Sequence, residues 1–342
     1  MMKKDTLLIF NITAGIFLLL FIGLSLNGCS PNKSGEYTGP INNLKIGLVP
    51  YIADLYGLLL LAESEGFFKK QWLDITFVRM PSGSDAIKAL QKGSVDLGTG
   101  TEFPFVKEIM QGRNLEVITT VWRGDVVYIA GRRDRGILKP SDFRGKKIAV
   151  TLGTQLEFFL DRYLLYNGMT MEDIHIMDKS LQSLIDPFLS GEADGVVYAE
   201  PHLDMARRKI GDNIVTWPIQ EEQPTYAVVA GRKEFVRFHP DIIKRFLKAL
   251  REAELYYQDN SQKARTQILG HPLRKGSFYK ADLPLLSYGL FLEKPFLVTM
   301  EDEARWHIAR GESLLREVPN FLEFIYFDGL ESVKPEGISI IR

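Results

Sequence analysis

Four short turns, at residues 50–56, 81–85, 99–103 and 151–156, carry the side chains best suited to hold a small molecule. Each joins proline, glycine or a small hydroxyl residue to the start of an apolar run with helical period. A helix start leaves backbone N–H groups without intrahelical partners, with the positive end of the helix dipole behind them. That arrangement suits a carboxylate, a sulfonate or a phosphate. Ser82, Gly83, Thr101, Gly153, Thr154 and Gln155 are therefore candidate ligand contacts. Ordinary helix capping, at about 1 kcal/mol each, is the competing role for Thr99, Thr101 and Thr154. Asp54 and Glu102 sit on the same turns, either as acids facing a donor group of the ligand or as solvated charges that complement helix dipoles. Tyr51, Phe103, Trp122 and Tyr226 are candidate apolar or stacking walls, with core packing as the alternative for each.

Catalysis has little to draw on. Cys29 is the sole cysteine, so the chain beyond it has neither a disulfide nor a cysteine nucleophile. His175, His202, His239, His271 and His307 are scattered, without the His-Glu-x-x-His spacing of a zinc site. No Gly-x-Ser-x-Gly elbow or Walker-type loop occurs. No catalytic residue, metal or cofactor is expected. With 42 basic against 43 acidic residues, the balance gives no support for nucleic-acid binding.

The elements that must position those turns follow from the hydrophobic pattern. Residues 57–101 read as helix, strand, helix, strand. Leu58 to Leu61 carry an apolar helix stopped at Gly66, residues 74–80 alternate as a strand, Ile87 and Leu90 mark a second helix, and Val95 to Gly98 run into Thr99. The pattern restarts near residue 139, with strands expected at 148–150, 174–177, 195–198, 214–219 and 225–230 and helices at 155–168 and 181–189. The remainder is expected to be mainly helical at 241–257, 262–269, 283–291 and 300–315, with a closing element at 324–327 and 338–341. A chain of 342 residues suits two lobes better than one. Chain crossings near Ala130 and Ala230 imply a hinge and a cleft, the geometry that closes around a ligand.

Lys3 and Lys4 precede an apolar run from Leu7 to Leu26, which reads as a secretory segment. Leu26-Asn27-Gly28-Cys29 then resembles a bacterial lipobox, so residues 1–28 are expected to be a signal peptide and Cys29 to be lipid-modified. An uncleaved membrane anchor is the alternative. Residues 29–43 follow as a polar tether.

The stretch GLLLLAESEGFFKKQWLDITFVRMPSGSDAIKALQKGSVDLGTG resembles the opening of ABC-importer solute-binding proteins, in the nitrate/sulfonate/taurine branch. The likeness resumes at residues 139–201 and in the tail from Leu330 to Ile341. It implies an α/β, two-lobed periplasmic binding protein of type II, each lobe a mixed sheet flanked by helices, with the ligand cleft at the hinge. Lobe 1 is expected to comprise 44–129 and 231–342, and lobe 2 residues 130–230. In Tyr198-Ala199-Glu200-Pro201, Glu200 matches the acid of the family's aromatic-acid-proline motif, while Ala199 departs from the aromatic. Glu200 joins the candidate ligand contacts on this ground, and Glu200→Ala is expected to weaken binding more than Glu157→Ala, a helix-body control. Three acids at one cleft favour a small organic solute with a donor group, among sulfonates, amino-sulfonates and pyrimidine-like compounds. The resemblance further implies an ABC permease and its ATPase as partners, a monomer, and an extracytoplasmic, lipid-anchored location. Competing classes are an enzyme on the same fold, as in pyrimidine synthases and desulfinases, and an extracytoplasmic sensor-binding protein.

Overall fold

The structure is a computed structural model that describes residues 39–220, 223–274 and 287–342, excluding the side chains of Tyr51 and Pro201. The expected signal segment, Cys29 and most of the tether lie outside the described residues. In chain order the strands are β1 (Asn42–Leu48), β2 (Leu73–Arg79), β3 (Leu97–Thr101), β4 (Leu115–Gly124), β5 (Val127–Arg132) and β6 (Lys147–Val150). They continue with β7 (His175–Asp178), β8 (Gly195–Ala199), β9 (Ile214–Pro218), β10 (Thr225–Arg232) and β11 (Ser287–Phe291). The longer helices are α1 (Gly57–Ser64), α2 (Gly83–Gln91), α3 (Glu102–Met110), α4 (Gln155–Tyr166), α5 (Glu200–Ile210), α6 (Pro240–Asp259), α7 (Ser261–Gly270) and α8 (Lys294–Ala309).

The strands form two mixed sheets. The first runs β11-β4-β10-β3-β1-β2 and the second β7-β6-β8-β5-β9. Parallel pairing links β1 to β2 and β3, and β6 to β7 and β8, through helical crossovers. The strands that run against the others are β10 and β11 in the first sheet and β5 in the second. Two separate apolar cores follow, one around Leu44, Ile46 and Leu60, the other around Ile129, Phe143 and Phe159.

The chain passes from one sheet to the other between β4 and β5 and again between β9 and β10. Both passages fall a few residues before the expected positions, because β5 pairs wholly with β8 and β9 while β10 pairs wholly with β3 and β4. Residues 287–291, expected to be helical, instead form β11. Buried Tyr288 and Leu290 extend the edge of β4, so sheet pairing overrides local propensity. Of residues 181–189, only the end is helical, within Asp186–Ser190. The closing element does lie against the first sheet, with parallel bridges from Ile325 to Val117 and from Ile338 to Leu292.

Candidate functional site

A cavity of about 140 Å³ opens between the two sheets, lined from both. The first sheet supplies Ser82, Gly83, Ser84, Thr101 and Pro104, with Val49, Ile52 and Leu55 as apolar wall. The second supplies Gly153, Thr154, Gln155 and Leu156, then Leu181, Tyr198, Ala199 and His202. Val126, Val127 and Thr225, at the two passages, complete it. The N-terminal ends of α2, α3, α4 and α5 therefore meet at one cavity.

Local chemistry explains why these ends face inward. Ser82 caps α2, accepting from the Asp85 amide at 3.1 Å and donating to Asp85 Oδ2 at 2.7 Å. At Gly83 a Cβ would lie 3.1 Å from Pro104 Cγ and 3.3 Å from Gly100 Cα, so a larger residue would push α2 back from the end of β3 by a few tenths of an ångström. Thr154 caps α4, accepting from the Leu156 amide at 3.3 Å and donating to the Thr151 carbonyl at 2.7 Å. The hydroxyls of Ser82 and Thr154 are thus engaged in capping. Thr101, the N-cap of α3, makes no such side-chain cap bond.

Behind the lining runs a hydrogen-bonded chain. Gln155 Nε2 donates to Glu102 Oε1, and the Tyr226 amide donates to Glu102 Oε2 at 2.8 Å. Thr225 Oγ1 donates to Gln155 Oε1 at 3.1 Å and accepts from Gln220 Nε2 at 3.2 Å. Gln220 Oε1 accepts from the Val127 amide at 2.7 Å and the Val126 amide at 2.5 Å. The chain joins the cavity wall to both passages between the sheets. Burial pushes Glu102 up to about 8 despite the N–H donors it receives.

Glu303 on α8 is also fully buried, and neither of its carboxylate oxygens has a hydrogen-bond partner among the described residues. Burial, then the charges of Glu102 and Asp302, raise it well above the usual carboxylate range. An acid raised on folding binds more protons native than unfolded, so stability falls as pH climbs from the unfolded value through the folded one. Glu303→Gln removes that loss. The melting-temperature gap in favour of the variant is expected to widen as pH rises above the ordinary carboxylate range, and a gap independent of pH would contradict it.

Of the sequence candidates, Ser82, Gly83, Thr101, Gly153, Thr154 and Gln155 line the cavity. The acids do not. Asp54 is completely buried in an ion pair with Arg274. Glu102 stands behind Gln155, and Glu200 pairs with Arg207 at 2.7 Å along the side of α5. Three of the aromatics are core residues. Trp122 packs inside the first sheet, Phe103 against Phe158, Trp306 and His307, and Tyr226 is buried with its hydroxyl on Glu293 at 3.1 Å. The Tyr51 side chain lies outside the described residues.

The stacked pair Tyr198 and His202 escaped sequence reasoning, with ring centroids 3.9 Å apart and planes within 3°. Burial lowers His202 to about 4, so it is neutral at ordinary pH. Its only sequence signal was an aromatic just before a helix start and a histidine one turn later. No Lys, Arg, Asp or Glu lines the cavity among the described residues. Among those residues no cluster of His, Cys, Asp and Glu is arranged to hold a metal, and no helix is long and apolar enough to cross a membrane.

The sequence model described as NMT1/THI5 like matches residues 55–264. A putative aliphatic sulfonates-binding protein of Bacillus subtilis (strain 168) is 23% identical over 255 residues, covering 73% of this chain and 76% of the relative. The taurine-binding periplasmic protein of Escherichia coli (strain K12) is 26% identical over 198 residues, covering 57% of this chain and 61% of the relative, a little under two thirds. The crystal structure of the periplasmic aliphatic sulphonate binding protein SsuA from Escherichia coli has the same fold, with a TM-score of 0.67 at 18% identity over 84% of this chain and 92% of that one. The architecture is that of a type II periplasmic binding protein with two lobes.

Proposed function

The chain belongs to the NMT1/THI5-like family and is a solute-binding component of an ABC importer rather than an enzyme; on that premise we propose that its cavity captures a small organic anion with an apolar body, an alkanesulfonate in preference to an amino-sulfonate. The observation that supports this is the convergence of four helix starts on a cavity without charged side chains among the described residues. Backbone donors and helix dipoles stabilise a negative head there without a cation. Val49, Ile52, Leu55, Leu156 and Leu181 accept an apolar tail. An ammonium group finds no carboxylate in the described lining, since Asp54 pairs with Arg274, Glu102 accepts from Gln155, and Glu200 meets Arg207 through Oε1. The Tyr198–His202 stack supports a second reading, a flat pyrimidine-like ring laid against that wall.

In this reading the described residues 40–124, 225–274 and 287–342 form one lobe and 127–218 the other, and closure about the two passages traps the solute. Delivery to a permease and its ATPase, action as a monomer, and anchoring through lipid on Cys29 complete the proposal. The test is a thermal-shift series with 1-butanesulfonate, taurine, a hydroxymethyl aminopyrimidine and nitrate, because a bound solute raises apparent stability by mass action, about 2.7 kcal/mol at a hundred times Kd. The largest shift is expected with butanesulfonate. A taurine shift equal to or above it would overturn the exclusion of an ammonium group.

A further inference from the structure

We propose that Glu157, with Arg310, is a positioning element of the cavity that ties the solute-facing loop of one lobe to the C-terminal arm of the other. The Glu157 side chain is buried, and its two oxygens are divided between the lobes. Oε2 accepts from the Gly153 amide at 2.6 Å, holding the loop that lines the cavity just before α4. Oε1 accepts from Arg310 Nη2 at 2.8 Å. Gly153 has φ +70°, a left-handed conformation, so its amide direction is a specific feature of this loop.

Arg310 follows α8, which packs on α3 of the first sheet's lobe. The arm is fixed beside α4 at more than one point. The Trp306 indole donates to Asp161 Oδ2 at 2.7 Å, its ring packs edge-on against Phe158, and the Arg310 guanidinium lies 4.5 Å from the Trp306 ring centre. Arg310 Nε also donates to Glu312 Oε1 at 2.8 Å, which aims the guanidinium. One carboxylate therefore receives both a cavity-loop amide and a cation from the opposite lobe. Both bonds are charge-assisted, and a carboxylate that loses its cation is free to re-solvate and release the amide. Displacing the arm thus alters the donor array at the start of α4 without touching the cavity.

A purely local role, Glu157 as a helix-start carboxylate, would be indifferent to Arg310. Hydrogen–deuterium exchange on the full chain separates the two. Arg310→Gln is expected to speed exchange severalfold in the peptide covering 151–156 while β8 keeps its protection, and Arg310→Lys to recover part of it. Titration with 1-butanesulfonate is expected to show weaker binding for Arg310→Gln. Unchanged exchange at 151–156 in Arg310→Gln, with faster exchange in Glu157→Gln, would overturn the proposal and leave Glu157 a local cap. The affinity arm rests on the solute-binding reading, but the exchange arm needs no solute. Altered exchange without any butanesulfonate binding would therefore count against that reading and in favour of this one.

Discussion

Replacing Arg274 by methionine lowers the free energy of unfolding by about 3–5 kcal/mol, the usual cost of stripping one partner from a buried ion pair. Asp54 is fully buried, and the Arg274 side chain is 5% exposed. Arg274 Nη1 also donates to the Leu269 carbonyl at 2.6 Å, so the guanidinium ties the end of α7 to the turn Pro50–Tyr56. The same turn is gripped by the Tyr288 hydroxyl, which donates to the Asp54 carbonyl. Ile52 and Leu55 of that turn line the cavity, so solute capture weakens as well. Urea denaturation checks the stability loss, and a loss below about 1 kcal/mol would place the pair among surface-like ion pairs. The double variant Asp54→Leu/Arg274→Met is expected to recover much of the loss, because a neutral apolar pair incurs no desolvation of charge.

The second large effect falls on Gln155. Gln155→Ala removes the donor to Glu102 and the acceptor for Thr225 at once. Buried groups left unpaired cost about 1–3 kcal/mol. Where the disturbed wall no longer orders the start of α4 for the solute, a binding loss of about 1–3 kcal/mol corresponds to about 5- to 150-fold in butanesulfonate affinity. Glu200→Ala is the fitting control. Its carboxylate pairs with Arg207 outside the cavity lining, so affinity is expected to change little. The sequence alone points the other way, to Glu200 as the site and Glu157 as the inert control. In the proposed solute-binding reading those roles are exchanged, and equal losses in Gln155→Ala and Glu200→Ala by calorimetry would contradict it.

What was legible in the sequence was local. Ser82, Gly83, Gly153, Thr154 and Gln155 were recognisable because capping hydroxyls, a close-packed glycine and the left-handed Gly153 act within one turn of chain. The alternating pattern of β2 and the apolar face of α2 were readable for the same reason. The acids were not, because their partners are distant. Arg274 lies far along the chain from Asp54, and nothing within either segment announces the pair. Among the aromatics, Trp122 and Tyr198 both sit on buried strands, and only the sheet's register decides that Tyr198 meets the cavity. The strand at 287–291 escaped likewise, since its pairing to β4 spans about half of the sequence. Gln220 and Thr225 reached the site only through the fold, as members of a chain of bonds spanning both passages.

The cavity between the sheets is, in this reading, where a small organic anion is held. A crystal structure of the protein with 1-butanesulfonate tests it most directly. The sulfonate oxygens are expected within hydrogen-bonding distance of backbone amides at the starts of α2, α3 and α4, with the tail against Val49 and Leu156. Butanesulfonate lodged against surface arginines, with the cavity left without it, would contradict that placement.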